Sequence, residues 1–390
     1  MNVGSASSVS PPPPLGGGWV DVDLTALGSN YRTLSRLALP ARCAATVKAD
    51  AYGLGLAPVV TQLWAEGCRC FFVANSHEAL ALRELQATAE VYVFNGVGAN
   101  DAAALARARL RPVLNSVEQV HLWRMQAALM GGVALPCALH LDTGMNRLGL
   151  GAEDWRALLA SDGWRAGLDV KLLMTHLASA HRGEHDAHTA RQVLAFAELR
   201  EALPDVPTSI GNSAGTLLGA ATRGDLVRPG IALYGANPFD ARPHPMREVA
   251  RVYGRVLQVR TVGAQGSVGY GGAFTAAPGA RLATVGVGYA DGYRRELGNR
   301  AQASVAGVRV PVVGHVSMDL LTLDVSAVPE AEVGPGARAT LIGGEVPLEE
   351  VALAAHTIPY EMLTGLGPRL PRLYLGAGGE ITEPSPLARR

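Results

Sequence analysis

From Trp19 to Tyr234 the chain repeats one rhythm, a short apolar or β-branched run followed by a longer amphipathic segment. The runs are AATV from Ala44, CFFVA from Cys70, VYVF from Val91, RPVL from Arg111, ALHL from Ala138, VKLLM from Val170, PTSI from Pro207 and LVRPGIALYG from Leu226. AHTARQVLAFAELREAL from Ala187 is an example of the segments between them. Runs of the first kind read as strands and segments of the second as helices, so the pattern is a succession of βα units. About eight fit by Tyr234, the number that a (β/α)8 TIM-type barrel requires.

The run NPFDARPHP from Asn237 breaks this rhythm. Beyond it, RVYGRVLQVRTV from Arg251, RLATVGVGYA from Arg281, VRVPVVG from Val308 and LLTLDV from Leu320 alternate between glycine-rich breaks, as a mainly β domain does. The first 18 residues are Ser, Pro and Gly in low-complexity order, too poor in apolar surface to pack. The expected organisation is a mobile tail over 1–18, a barrel over 19–238 and a mainly β domain over 239–390. Two domains also suit a length of 390 residues.

Charge narrows the function. With 34 basic and 34 acidic residues and no long single-sign run, neither nucleic acid nor an anionic membrane finds an electrostatic partner. A small-molecule substrate is expected instead. No apolar stretch reaches the ~18 residues of a spanning helix, and no basic start with an apolar core marks a signal peptide, so the expected location is cytoplasmic. Cys43, Cys68, Cys70 and Cys137 lack metal-ligand spacing and read as reduced thiols. His181, His185 and His188 resemble a metal cluster by count, but the polar HRGEHDAH context reads as solvated loop, and no metal is assigned.

The sharpest chemical feature is VKADAYGLG from Val47. It places Lys48 at the C-terminal end of a barrel strand, the face where this architecture builds active sites. A lone lysine is usually a surface group. Here, however, Tyr52, Arg147, His176, Asn212, Ser213, Arg228 and Gly230 also follow strands, and a barrel brings all of them to one mouth. Ser213 with the amides opening its helix, and the amides of Gly230 and Ile231, could bind a phosphate. Taken alone, GNSAG from Gly211 would do no more than cap a helix.

On VKADAYGLG, LDTGMNRLG from Leu141, THLASA from Thr175, GNSAG, RPGIALYG from Arg228, VGYGG from Val268, VGYADGYRR in the segment after Gly286, GHVSMD from Gly314 and IPYE from Ile358, the chain resembles the alanine racemase family over about Trp19 to Tyr374. The resemblance implies pyridoxal 5'-phosphate carried as a Schiff base on Lys48, and a homodimer acting on a small amino acid, with D-alanine supplied to cell-wall peptidoglycan. It makes Lys48 the base on one face of Cα and Tyr289, from the other subunit, the base on the opposite face. Two bases suit inversion, because one would return the proton to the face it left.

It further implies that His176 hydrogen-bonds the Tyr289 phenol and Arg228 donates to the pyridine nitrogen. Because a guanidinium stays protonated, that nitrogen would stay unprotonated and the cofactor a weaker electron sink, which disfavours transamination. Tyr52, Ser213, Gly230, Ile231 and Tyr360 fall to the phosphate. Arg147 falls to the cofactor oxygen and the substrate carboxylate, and the Met318 backbone to the same carboxylate. One position departs: seven residues before Arg147 the family commonly carries a carbamylated lysine, and here stands His140. The expectation is that His140, with a bound anion or another acid group, orients Arg147 instead. Serine or a broader substrate range, and a barrel-type decarboxylase lacking the second base, are the alternatives.

Overall fold

The computed structural model describes residues 14–240, 242–376 and 381–382. Most of the expected 1–18 tail, residues 1–13, lies outside them. Pro14 and Gly17 accept hydrogen bonds from Arg255, and a strand begins at Gly18.

The chain forms two compact units. One comprises Leu27–Tyr52 and Leu56–Arg247. In it, Ala45–Thr46, Cys70–Val73, Glu90–Val93, Arg111–Leu114, Leu135–His140, Leu168–Met174 and Thr208–Ser209 form a seven-stranded parallel sheet in sequence order. An eighth strand, Leu226–Val227, pairs in parallel with Arg42–Cys43 just before the first. The Ser209 hydroxyl donates to Leu226 O and the Asp225 amide to Thr208 O (2.8 Å), so the curl returns on itself.

Its strands read as unbroken apolar runs because they are buried on both faces, as in Cys70–Val73, where all four residues are inaccessible. Ala44, Cys70, Phe72, Tyr92, Val113, Ala138, Leu172, Met174 and Leu226 fill the interior, with Phe72 stacked on Tyr92 at 4.7 Å. Helices start at the C-terminal ends of these strands. Asn75, Ser116, Asp186 and Asn212 each accept from an amide three residues on, so polar caps gather at one rim.

LVRPGIALYG departs from its strand reading. Only Leu226–Val227 is extended, and residues 230–235 make successive turns, with Leu233, Tyr234 and Gly235 amides donating three residues back. Pro229 has no N–H for a ladder. The apolar character of Ile231 to Tyr234 comes from their complete burial.

Among the described residues, the second unit comprises 14–26, Gly53–Gly55 and those from Glu248 onward. The 12-residue strand Ala250–Thr261 organises a nine-stranded sheet, antiparallel to Gly18–Asp23, Arg338–Ile342 and Arg281–Val285. Gly18–Asp23 also runs parallel to Arg372–Leu375. The division therefore departs from a single cut after Pro238. The segment expected to open the barrel is a strand of the β unit, paired Trp19 to Tyr253 and Val20 to Val252. Its valines are buried while Asp21 and Asp23 are part-exposed, the alternation of a strand covered on one face. Leu321–Asp324 shows the same period.

Candidate active site

Lys48 follows Ala45–Thr46 and opens a turn with an unusual backbone. Ala49, Asp50, Ala51 and Tyr52 have φ of 53, 52, 53 and 58° with positive ψ, a left-handed helical turn without glycine. Each L-residue there costs roughly 1–2 kcal/mol. Side chains anchor it at both ends. The Glu78 carboxylate accepts from the Ala49 amide and the Ala74 amide (2.7 Å each), and Asp50 accepts from the Leu56 amide (2.7 Å). The turn sends the Lys48 amine over the mouth, 5.9 Å from the Phe94 ring centre, and carries Tyr52 into contact with Tyr234 at 4.6 Å.

Positive charge is concentrated there and short of water. Burial, and then the Arg147 guanidinium, hold the Lys48 amine below the ordinary lysine value, with Glu78 acting in the opposite sense. A lowered value means more neutral amine, the nucleophilic form. Burial, and then Arg228 and Arg147, hold His176 well below the usual imidazole value. His140 is pushed down to about 4 by burial and Arg228. Its Nδ1 lies 2.8 Å from Asn115 Oδ1. Asn115 Nδ2 donates to Phe94 O (2.9 Å) and Val113 O (2.8 Å), which leaves Oδ1 as acceptor and makes Nδ1 the protonated ring nitrogen.

His140 thus pairs with Asn115, and the Arg147 guanidinium is among the charges that lower its value. Arg147, exposed at the tip of the loop between Leu141 and Leu150, is delivered by a tight fold in which Asp142 accepts from the amides of Gly144, Met145 and Asn146.

Arg228 is buried. Its terminal nitrogens donate to the Ser209 hydroxyl and to Thr175 O (2.7 Å), while its Nε is buried without a partner. Burial lowers its value to about 9, so it remains a cation at neutral pH. A buried, unsatisfied donor is costly and points to an acceptor that belongs there. Of the residues expected at the phosphate, Tyr52, Ser213, Gly230 and Ile231 lie together on the barrel unit. Ser213 Oγ accepts from the Gly230 amide (2.9 Å) and the Ala232 amide (3.2 Å), leaving its own hydrogen to donate. A Cβ on Gly230 would stand 2.2 Å from Tyr52 Oη, so glycine here is what allows the phenol its close approach.

The Gly230 amide is engaged by Ser213, and the Ile231 amide has no acceptor among the described residues. Asn212 caps its helix through Gly215 N (3.0 Å), the simpler role weighed for it.

Tyr289, Met318 and Tyr360 lie on the β unit. Tyr289 begins a 3-10 turn, and its amide and that of Ala290 donate to Ser317 O (3.0 Å) and Met318 O (2.9 Å). The two loops therefore touch, and a Cβ on Gly288 would stand 2.3 Å from Met318 O. Tyr289 lines an open cavity of about 580 Å³ with Arg294, Glu361 and Thr364. Tyr360 stands in the helix Pro359–Thr364.

Sequence reasoning missed Glu78, Asn115, Thr175 and Ser209. Asn115 carried a signal, a polar residue directly after the run RPVL, as Lys48 follows AATV. Of the clustered histidines, His188 faces Gly144 O (3.1 Å) and His181 lies 3.9 Å from Asp240. Among the described residues no three His, Cys, Asp or Glu side chains gather as metal ligands, and all four cysteines are free thiols.

The fold and this lysine-centred, electropositive mouth define a barrel enzyme with a β domain appended. Sequence profiles agree: the alanine racemase N-terminal domain matches residues 22–238 and the C-terminal domain residues 249–374. The chain is 48% identical over 360 residues to an alanine racemase of Methylobacterium nodulans, covering 92% of this chain and 96% of that one. It is 45% identical over 362 residues to a catabolic alanine racemase of Agrobacterium fabrum, covering 93% of each. Among solved structures, alanine racemase from Bartonella henselae with covalently bound pyridoxal phosphate superposes with a TM-score of 0.88 at 35% identity, over 93% of this chain and all of that one. The chain belongs to the alanine racemase family.

Proposed function

We propose that the protein is a pyridoxal 5'-phosphate-dependent racemase interconverting L-alanine and D-alanine. The observation that carries the reading is the buried, unpartnered Nε of Arg228 in the same mouth as the depressed Lys48 amine. The residues fit the cofactor: Lys48 would hold it covalently, Arg228 Nε would donate to its ring nitrogen, and Tyr52, Ser213 and the Ile231 amide would hold its phosphate, with Gly230 giving it room. Asn212 caps the helix beside that phosphate, and Tyr360 is proposed as a further contact to it. The bound group supplies an electron sink that lowers the cost of removing the Cα proton.

The chain supplies the rest. Lys48, once released, takes or returns the proton on one face of Cα, and Tyr289 does so on the other. Arg147 and the Met318 amide hold the substrate carboxylate, which fixes Cα between the two bases. Neutral His176 offers a ring nitrogen as hydrogen-bond acceptor to the phenol that must lose its proton. Neutral His140, fixed by Asn115, adds no charge beneath Arg228 and Arg147. We place Tyr289 and Met318 in the barrel of a second subunit, a reading their exposure supports, with a cytoplasmic homodimer feeding D-alanine to peptidoglycan. Among the described residues no helix is long and apolar enough to cross a membrane.

The test incubates the purified protein with each L-amino acid in deuterated water and follows enantiomer formation and Cα deuteration together. Alanine should racemise with uptake of one deuterium at Cα, and serine more slowly. Carbon dioxide release, or no exchange at Cα, would sink the proposal.

A further inference from the structure

The geometry points to Arg369 as a positioning residue for the reaction, a clamp that fixes Tyr289 and the Met318 backbone relative to each other. This rests on the roles proposed for those two residues. Arg369 Nε lies 3.0 Å from Asp291 Oδ1, and its terminal nitrogen 2.7 Å from Asp319 Oδ1. Asp291 stands two residues after Tyr289, and Asp319 directly after Met318. One guanidinium therefore grips both loops that carry candidate chemistry.

The exposed half of this arrangement would carry little by itself, since surface ion pairs contribute weakly to stability. What distinguishes it is Asp291, whose side chain is 4% exposed. A carboxylate so withdrawn from water needs its charge met, and its second oxygen accepts from the Gly288 amide (2.9 Å), the residue before Tyr289. Its carbonyl accepts from the Gly367 amide (2.9 Å), which draws the chain carrying Arg369 onto the turn. The Tyr289 and Ala290 amides then reach the Ser317 and Met318 carbonyls, and the Ser317 amide closes its own loop on Leu320 O (2.8 Å). Removing the guanidinium leaves the buried Asp291 carboxylate with the Gly288 amide but without its ion pair and hands Asp319 to solvent, so the Tyr289 turn and the Met318 loop lose the cation they share. Lysine, a single-point cation, can meet one carboxylate but not span both as the planar fork does.

The experiment compares Arg369→Gln, Arg369→Lys and Asp319→Asn with the cofactor-loaded wild type. Amide hydrogen exchange is read by mass spectrometry over residues 286–293 and 315–321, and Cα deuteration is followed from each enantiomer of alanine. Arg369→Gln should speed amide exchange in both segments and leave the barrel strands unchanged. It should lower turnover by roughly tenfold to a hundredfold, the scale of a ~1 Å misplacement, more strongly from the enantiomer whose proton Tyr289 takes. The alanine KM should rise as well. Arg369→Lys should restore part of the turnover, and Asp319→Asn should loosen the 315–321 segment with a smaller catalytic loss.

Unchanged amide exchange in either segment of Arg369→Gln overturns the clamp mechanically. Loosened loops with wild-type turnover and KM overturn it functionally. If Tyr289→Phe exchanges both enantiomers as the wild type does, the role of Tyr289 itself has failed, and rigid or loosened loops in Arg369→Gln tell the two failures apart.

Discussion

At the barrel mouth Lys48, His140, His176 and Arg228 all stand where burial disfavours a positive charge, and each is pulled below its ordinary value. On the β unit, Tyr289 is 43% and Met318 54% exposed, and what is specified there is the path of the backbone. The barrel prepares side chains by withdrawing them from water, and the β unit prepares positions by locking one loop to another. The function proposed above divides the work accordingly, chemical tuning on one unit and placement on the other.

The sharpest way to break this contrast is at Lys48. Lys48→Ala should abolish borohydride-trapped cofactor and lower turnover by at least ~10³-fold, more than any other change at the mouth. Retention of a covalent adduct would mean another amine does the work. Tyr289→Phe should come next, with a loss of ~10²–10⁴-fold in proton exchange. Isotope washout must be followed from each enantiomer separately, and the loss should fall mainly on one. Equal washout losses from both would remove the opposed-base assignment.

The electrostatic side of the contrast predicts acid sensitivity. His140 has a value of about 4 in the folded chain against about 6.5 when free, so the unfolded state binds the extra proton as pH falls between them. Stability present above pH ~6.5 should be lost toward pH ~4, by up to about 3 kcal/mol from this residue, with His176 acting in the same direction. Urea midpoints for wild type and His140→Gln should diverge above pH 6 and converge near pH 4. Parallel curves would show that His140 carries no such coupling.

The mildest probes are paired glycines, one on each unit. Gly230→Ala drives a methyl group at the Tyr52 hydroxyl and should weaken cofactor retention, whereas Gly288→Ala drives one at Met318 O and should cut turnover with the cofactor still bound. Each should cost about 1–3 kcal/mol in the affected property, read by cofactor titration and by turnover. Identical phenotypes would dissolve the division.

How much of this was legible in the sequence follows the same line. The barrel strands announced themselves because burial on both faces writes continuous apolar runs, and Arg111–Leu114 coincides with the run RPVL. The mouth residues were legible as polar groups placed just after those runs. The first strand of the β unit was not, because Gly18–Asp23 finds its partners more than 200 residues away and its Val-Asp alternation, the local sign of a strand covered on one face, spans only Val20 to Asp23. LVRPGIALYG misled because a fully buried turn is as apolar as a strand. Glu78 stayed hidden because a side chain that serves through another residue's amide leaves no spacing to recognise, whereas Asn115, directly after RPVL, was legible by its place but not by its role.

The turn from Ala49 to Tyr52 carries a further consequence. Four consecutive L-residues trace the mirror image of an ordinary helix, and it is their D-counterparts that would rest there without strain. A chemically synthesised chain with D-alanine at position 49 or 51 should hold its lysine loop at least as firmly as the natural one, and the same replacement in the barrel's right-handed helices should disrupt them. The product proposed for this protein is the residue that its own lysine loop would accommodate most easily.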